Sequence, residues 1–306
     1  MNNIIRNIQE LEKETFSNFS NSKAKNTSRA YRSDFYDFIK FCKKYSFPFL
    51  PSNHKTITLY LTYLGKNNKF STIKRRLSTI KLMHLYRGFH IDLNHPVIKE
   101  NLLGIKKNIG IYQESKKPLL INHLYLIIDY LNSNLVNKNL QIIRNKAILL
   151  LGFAGGFRRS ELVSIFKSDI EFVDEGMKIK LRSSKTDQYG QGFIKAIPYF
   201  NKSKYCPVLA IKQWLNCSKK EEKLLFPYSD KLISLIVKKS IESIGLQPNL
   251  YSGHSLRSGF ATSVANLGAD ERSIMQMTGH KSTEMVRRYI KEANLFKNNA
   301  LNKIRF

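Results

Sequence analysis

Hydrophobic residues recur at three- and four-residue intervals along nearly the whole chain, and only between residues 170 and 199 does the interval shorten to two. That pattern restricts the fold to helices packed on helices around one small β element. After Asn26, the spacing of Tyr31, Phe35, Phe38 and Cys42 predicts an amphipathic helix that must stop before Pro48 and Pro51. A second helix is expected over residues 56–64, with Ile57, Leu61 and Leu64 inward. Ser71 is read as the cap of a third. Ile73, Leu77, Ile80 and His84 share one face of it, Lys74, Arg75 and Lys81 the other, and Thr72 and Arg76 lie near its start. Pro96 opens a fourth helix, expected to end at Gly104.

Residues 1–25 are polar, with one short helix at most over residues 4–19. Residues 105–118 are basic, aperiodic and close on proline, as a linker does. Helices resume over residues 121–132 and 140–151. Met177, Ile179 and Leu181 then alternate with lysines, and Ile194 and Ala196 alternate again after Gly190 and Gly192. This is a β-hairpin with a long charged turn, with a third strand open at residues 170–172. From Pro207 onward the period is helical. The fold class is therefore mainly α with a small β-hairpin or three-stranded sheet. Its segments are a polar N-terminal piece (1–25), a helical domain (26–104), a linker (105–118) and a larger domain (119–306); 306 residues are ample for two cores.

Lys and Arg outnumber Asp and Glu by 51 to 23, a formal net charge of +28. The excess is +11 in residues 1–104 and +17 in residues 105–306, so it is not a basic tail. Two basic domains suit a polyanion gripped from both sides, although a lysine-rich composition alone can also produce a solvated basic surface. The longest apolar run, residues 147–157, is too short to span a bilayer, and no membrane association is expected. The N-terminus carries acids where a signal peptide needs an apolar stretch. Cys42, Cys206 and Cys217 form neither a disulfide framework nor a zinc spacing, so a reducing, cytoplasmic setting is expected.

Four segments carry residues suited to chemistry. In GGFRRSELVSI, Arg158 and Glu161 sit three apart on one helix face. In SSKTDQYGQG, Lys185 occupies the tip of the hairpin turn. In GHSLRSGFATSVANLG, Leu256, Phe260, Val264 and Leu267 are read as the buried stripe and Gly268 as the stop. His254 and Arg257 share another face near the helix N-terminus, a ready anion site. In TGHKSTEMVRRYI, Gly279 ends one helix, His280 lies in the connection, Ser282 caps the next helix, and Tyr289 projects from it. Each segment alone has a bland reading: a surface ion pair, a solvated lysine, a structural histidine, a packing tyrosine.

Jointly, in order and type, Arg158, Lys185, His254, Arg257, His280 and Tyr289 form a set that resembles the tyrosine recombinase family, which includes phage integrases and Xer-type recombinases. The similarity extends over essentially the whole chain, including the CPVLAIKQWL stretch and the YIKEANLFKNNA tail. His280 stands where some members carry Trp. The resemblance implies a SAM-like helical core-binding domain followed by a catalytic domain, and cutting and rejoining of double-stranded DNA. Tyr289 would be the nucleophile forming a 3′-phosphotyrosyl link. Arg158 and Arg257 would hold the non-bridging oxygens, with His280 as a further donor. Lys185 would protonate the leaving 5′-oxygen, His254 would be the candidate base, and Glu161 would support Arg158. No cofactor or metal is implied. Thr72, Lys74, Arg75, Arg76 and Lys81 are the expected DNA contacts. Protomers would assemble as a tetramer on paired sites through a C-terminal exchange helix, residues 295–306, in which Leu295, Phe296, Ala300, Leu301 and Ile304 make an apolar stripe. A helix-turn-helix regulator would explain the charge but not the six-residue set. A metal-dependent nuclease needs an acidic cluster that the sequence lacks. A type IB topoisomerase-like enzyme shares the chemistry but typically not this compact chain.

Overall fold

The structure is a computed structural model, and it describes the chain apart from residues 1–7, 9, 12, 16, 19–24, 112–114, 136–138, 183–191, 281, 294–299 and 305–306. The chain divides into two compact units, Met1–Glu114 and Ser115–Phe306.

In the first unit, α1 (Lys25–Lys44), α2 (His54–Gly65), α3 (Phe70–Leu85) and α4 (Pro96–Ile109) follow the periodic segments. Residues 8–18 are helical where described. Asn53 caps α2, its side chain accepting from the Thr56 N–H at 2.9 Å. The core joins Phe38 and Cys42 of α1, Ile57 and Leu61 of α2, Ile73 and Ile80 of α3 and Ile98 of α4, all fully buried. Each such aliphatic side chain contributes about 1.5–3 kcal/mol.

Two boundaries differ from the sequence reading. Lys69, not Ser71, holds the cap position of α3, without a side-chain bond, because Phe70 packs on the core and takes the first helical position. Helix α4 runs through Gly104 to Ile109, because Ile105 is part of the core, and Gly110 at φ 71° ends it.

His84 is fully buried, with Nδ1 2.8 Å from the Ile80 carbonyl oxygen and Nε2 accepting from the Ser52 N–H at 3.0 Å. A carbonyl only accepts, so Nδ1 carries the proton and the neutral ring is satisfied at both nitrogens. Burial holds its pKa below the ordinary 6.5. A lowered histidine pKa stabilises the fold above that ordinary value, and the contribution is lost as pH falls below it. Hydrogen exchange from α3 amides, corrected for intrinsic rate, should therefore accelerate on acidification below 6.5. A His84→Leu variant should lack that acid sensitivity, and identical pH dependence in both proteins would refute the assignment.

In the second unit, α5 (Ile121–Ser133) and α6 (Leu140–Ala154) lead through the short α7 (Arg159–Leu162) into a sheet of β1 (Ile170–Val173), β2 (Gly176–Leu181) and β3 (Phe193–Pro198). The strand order is β1-β2-β3, all antiparallel, so the third strand is real. Then come α8 (Pro207–Cys217), α9 (Asp230–Glu242), α10 (Ser255–Asn266), α11 (Glu271–Thr278) and α12 (Thr283–Ala293). The apolar run at the end of α6 is buried all round.

Helix α10 corrects the expected stripe. Leu256 is buried, but Phe260 and Val264 are only partly so, and Leu267 is 78% exposed. The buried positions include Ser255, Arg257, Ser258, Gly259, Ala261 and Ser263. This helix is covered on several sides, so small residues rather than one apolar face fit it. A Cβ on Gly259 would stand 1.8 Å from the Leu119 carbonyl oxygen, where the residues before α5 cross the helix. There the Leu119 N–H donates to the Ser255 carbonyl at 2.9 Å.

The hairpin corrects the reading of β3. Ile179 pairs with Lys195 and Met177 with Ile197, and paired residues share a face. The buried face of β2 is Met177, Ile179 and Leu181, so Lys195 and Ile197 point inward and Ile194 is 65% exposed. The tip with Lys185 lies outside the described residues, as do Leu295 and Phe296. Of the expected C-terminal helix, Ala300–Lys303 form a 3-10 turn, and Leu301 and Ile304 are exposed.

Candidate active site

Helix α6 ends in Gly155 and Gly156, whose φ of 52° turns the chain sharply; a Cβ on Gly156 would press within 3.2 Å of Phe260 and Thr278. The turn delivers Arg158 to the cap position of α7. The buried Glu161 carboxylate accepts from the Arg158 backbone N–H at 2.9 Å and from its Nη1 at 2.5 Å. Arg158 Nη2 donates to the Gly279 carbonyl at 3.3 Å. One carboxylate thus caps the helix and orients the guanidinium, the supporting place that the sequence reading gives Glu161.

Arg257 rises from the first turn of α10 and is 1% exposed. Its Nη1 donates to the Gly156 carbonyl at 2.9 Å, while Nε and Nη2 have no hydrogen-bond partner among the described residues. Burial, and then the charge of Arg158, push its pKa down to about 10. Two buried, unmet donors on a cation beside another cation call for an anion with at least two acceptor oxygens.

His254 caps α10 at the solvent edge. Partial desolvation, then Arg257, Arg158 and Arg159, hold its pKa below 6.5. Gly279 in the left-handed conformation ends α11 and places His280, whose Nδ1 lies 2.7 Å from Thr278 Oγ1. Desolvation, then Arg257, Arg158, His254 and Lys195, push His280 down to about 4. Ser282 accepts from the Glu284 N–H and starts α12, which carries Tyr289. The Tyr289 ring packs with Ala261, Ala265, Ile274 and Val286, its centroid 6.2 Å from that of His280. A cavity of about 420 Å³ opens here, lined among others by Lys116, Lys117, His254, Ser258, Arg288 and Tyr289.

Five of the six residues of the expected set therefore come together from three of the four sequence segments; Lys185, in the fourth, lies outside the described residues. Lys195 is a residue that the sequence reading missed. Its ammonium, 2% exposed, donates to the carbonyls of Gly155 and Met277 and stands 4.4 Å from the Phe157 ring centroid. It thereby ties the turn bearing Arg158 to the helix end bearing His280. Burial brings its pKa down to about 7, with Glu161 opposing and Arg257 and Arg158 adding to the fall. The one available signal was the alternation of β3, had it been phased on β2.

The description "Phage integrase family" matches residues 122–295, and the chain is 38% identical over 315 residues to an integrase/recombinase xerD homolog of Selenomonas ruminantium, covering 98% of this chain and 91% of that one. The chain belongs to the phage integrase family of tyrosine recombinases. This recombinase is also 30% identical to the tyrosine recombinase XerC of Rickettsia typhi, over 89% of its own length and 87% of the relative's. Its fold is similar to that of the XerH site-specific recombinase in a post-cleavage complex with a palindromic difH substrate: TM-score 0.58, 16% identity, 81% of this chain and 73% of that one. It is likewise similar to a lambda integrase dimer bound to a core site: TM-score 0.56, 16% identity, 93% and 75% covered.

In the helical unit of this recombinase, the five expected DNA contacts separate into two groups. Lys74 and Lys81 are exposed on α3 and Thr72 is half-buried. Arg75 and Arg76 are drawn instead to Asp34 and Asp37 of α1. Tyr60 donates to the same Asp37 at 2.7 Å, and only 18% of the Arg76 side chain is exposed. Arg76, which the sequence reading expects as a DNA contact, is held within the fold by two carboxylates on α1.

Proposed function

We propose that this site-specific recombinase cleaves double-stranded DNA with Tyr289 as nucleophile while Arg257 and Arg158 hold the scissile phosphate. The observation that carries the reading is the buried Arg257 guanidinium with Nε and Nη2 unmet, beside Arg158. A phosphodiester offers two non-bridging oxygens to such a fork, and the charge that develops on them in the transition state binds it more tightly still. Attack by the phenol oxygen forms a phosphotyrosyl bond and expels a 5′-hydroxyl, so the bond energy is kept for rejoining. Lys185 supplies the leaving oxygen's proton, and Glu161 keeps Arg158 in place. Lys74 and Lys81, with Thr72 beside them, meet DNA phosphates from the helical core-binding domain, and Arg75 adds a partly exposed charge (44% exposed). The site of action is the cytoplasm, on the chromosome or an element within it.

A nicked duplex pool that lets the severed strand diffuse away tests this in EDTA. A band of protein joined to DNA, stable to denaturant, is expected. Cleavage that appears only with magnesium, or none that is covalent, would refute the reading.

Assembly rests on the chain end. The exposed side chains of Leu301 and Ile304 support docking of the terminal segment on a neighbouring protomer. Truncation after Asn294 keeps Tyr289 and should preserve binding to a single site while abolishing tetrameric synapses in a gel-shift assay. Synapsis at wild-type efficiency would defeat the trans-docking idea.

A further inference from the structure

Thr278 is the last residue of α11, and its hydroxyl has a single proton and, among the described residues, two polar neighbours. One is the Ile274 carbonyl oxygen at 2.6 Å, which can only accept, so the Thr278 proton is committed there. The other is His280 Nδ1 at 2.7 Å. Toward that nitrogen Oγ1 can now only accept, and Nδ1 must carry a hydrogen. A neutral imidazole has one N–H, so Nε2 of neutral His280 is bare.

The ring is held neutral before DNA arrives. Arg257 and His254 from α10, Arg158 from the turn after α6 and Lys195 from β3 all oppose its charging, and desolvation adds to them. With Nδ1 engaged, Nε2 is the nitrogen left for chemistry. The Tyr289 phenol, on the neighbouring ring, is the group that must lose a proton for attack.

We propose that Thr278 is a positioning residue that pins the proton of His280 to Nδ1, so that His280 enters strand cleavage as a proton acceptor at Nε2. This rests on the reading of the cluster as the cleavage centre. The O–H bond of Tyr289 breaks, its electron pair stays on oxygen for attack at phosphorus, and an N–H bond forms at Nε2. The resulting imidazolium has hydrogens on both nitrogens. Only then can it donate to a phosphate oxygen, the role that the sequence reading gives His280 from the start. The acceptor role passes from His254 to His280.

The test uses the full chain labelled with ¹⁵N-histidine, with the His280 signals assigned by their loss in His280→Gln. Nitrogen shifts and long-range couplings distinguish the two neutral tautomers without any reference to activity. The Nδ1–H tautomer is expected in the wild type and in Thr278→Ser, which keeps the hydroxyl. Thr278→Val, of nearly the same shape, should shift the population toward Nε2–H. It should also slow single-turnover cleavage of the nicked duplex at least about tenfold with unchanged DNA affinity. A dominant Nε2–H tautomer in the wild type would overturn the proposal, as would an unshifted tautomer in Thr278→Val. A shifted tautomer with undiminished cleavage would overturn the acceptor role. If Thr278→Val fails to fold, the wild-type spectrum alone decides the tautomer. A wild-type protein that shows the Nδ1–H form but cleaves no DNA would count against the cleavage reading and leave the tautomer assignment standing.

Discussion

Tyr289→Phe is expected to eliminate the covalent protein–DNA complex and all recombination while leaving DNA binding intact. The ring is seated among Ala261, Ala265, Ile274 and Val286, and phenylalanine keeps those contacts. Only the hydroxyl is lost, and with it the sole atom that can bond to phosphorus in this scheme. The effect on folding should therefore be small and the effect on chemistry complete. A gel-shift titration beside a denaturing gel separates the two. If the variant still traps DNA covalently, another residue is the nucleophile and the assignment of α12 as its carrier is wrong.

Arg257→Ala is expected to slow cleavage by about 10²–10³-fold or more, the scale on which single oxyanion donors act. The side chain is 1% exposed and holds the Gly156 carbonyl, so part of any loss could reflect a displaced turn. Arg257→Lys separates the causes. An ammonium can reach that carbonyl and keep the charge, but it cannot present the two unmet edges, Nε and Nη2, as one planar fork. The lysine variant should thus fold and bind DNA yet cleave nearly as slowly as the alanine variant. Single-turnover rates measured beside thermal unfolding curves settle it. Near-wild-type cleavage by either variant would mean that the scissile phosphate is held elsewhere.

The two effects reflect one electrostatic arrangement. Arg158, Arg257 and Lys195 crowd around a single buried carboxylate, Glu161, which opposes the loss of the Lys195 and Arg257 protons. Before DNA binds, the cluster relieves its repulsion by depressed pKa values, down to about 7 at Lys195 and about 4 at His280. A bound phosphate works against that bias, since an anion favours the charged forms around it, and so makes His280 a better acceptor for the proton of Tyr289.

Local physics made much of this legible from residue order. Periods of 3.6 and 2 and proline and glycine stops are properties of neighbouring residues, and they located the helices of the first unit, α5, α6 and the hairpin, while the candidate set came from the resemblance to the tyrosine recombinase family. What depended on partners distant in sequence was not legible. Phe70 moved the start of α3 and Ile105 carried α4 past Gly104 because each found a place in the core. Arg76 turned inward because Asp34 and Asp37 wait on α1, and Leu267 came out because α10 is enclosed from its other sides. Lys195 faces inward because the register with Ile179 dictates it, whatever its charge, and two backbone carbonyls from different segments then receive it. Only the tertiary structure decides which nitrogen of His280 holds a proton. That choice depends on where the one hydrogen of Thr278 goes, and a hydrogen bond is fixed by position rather than by residue type.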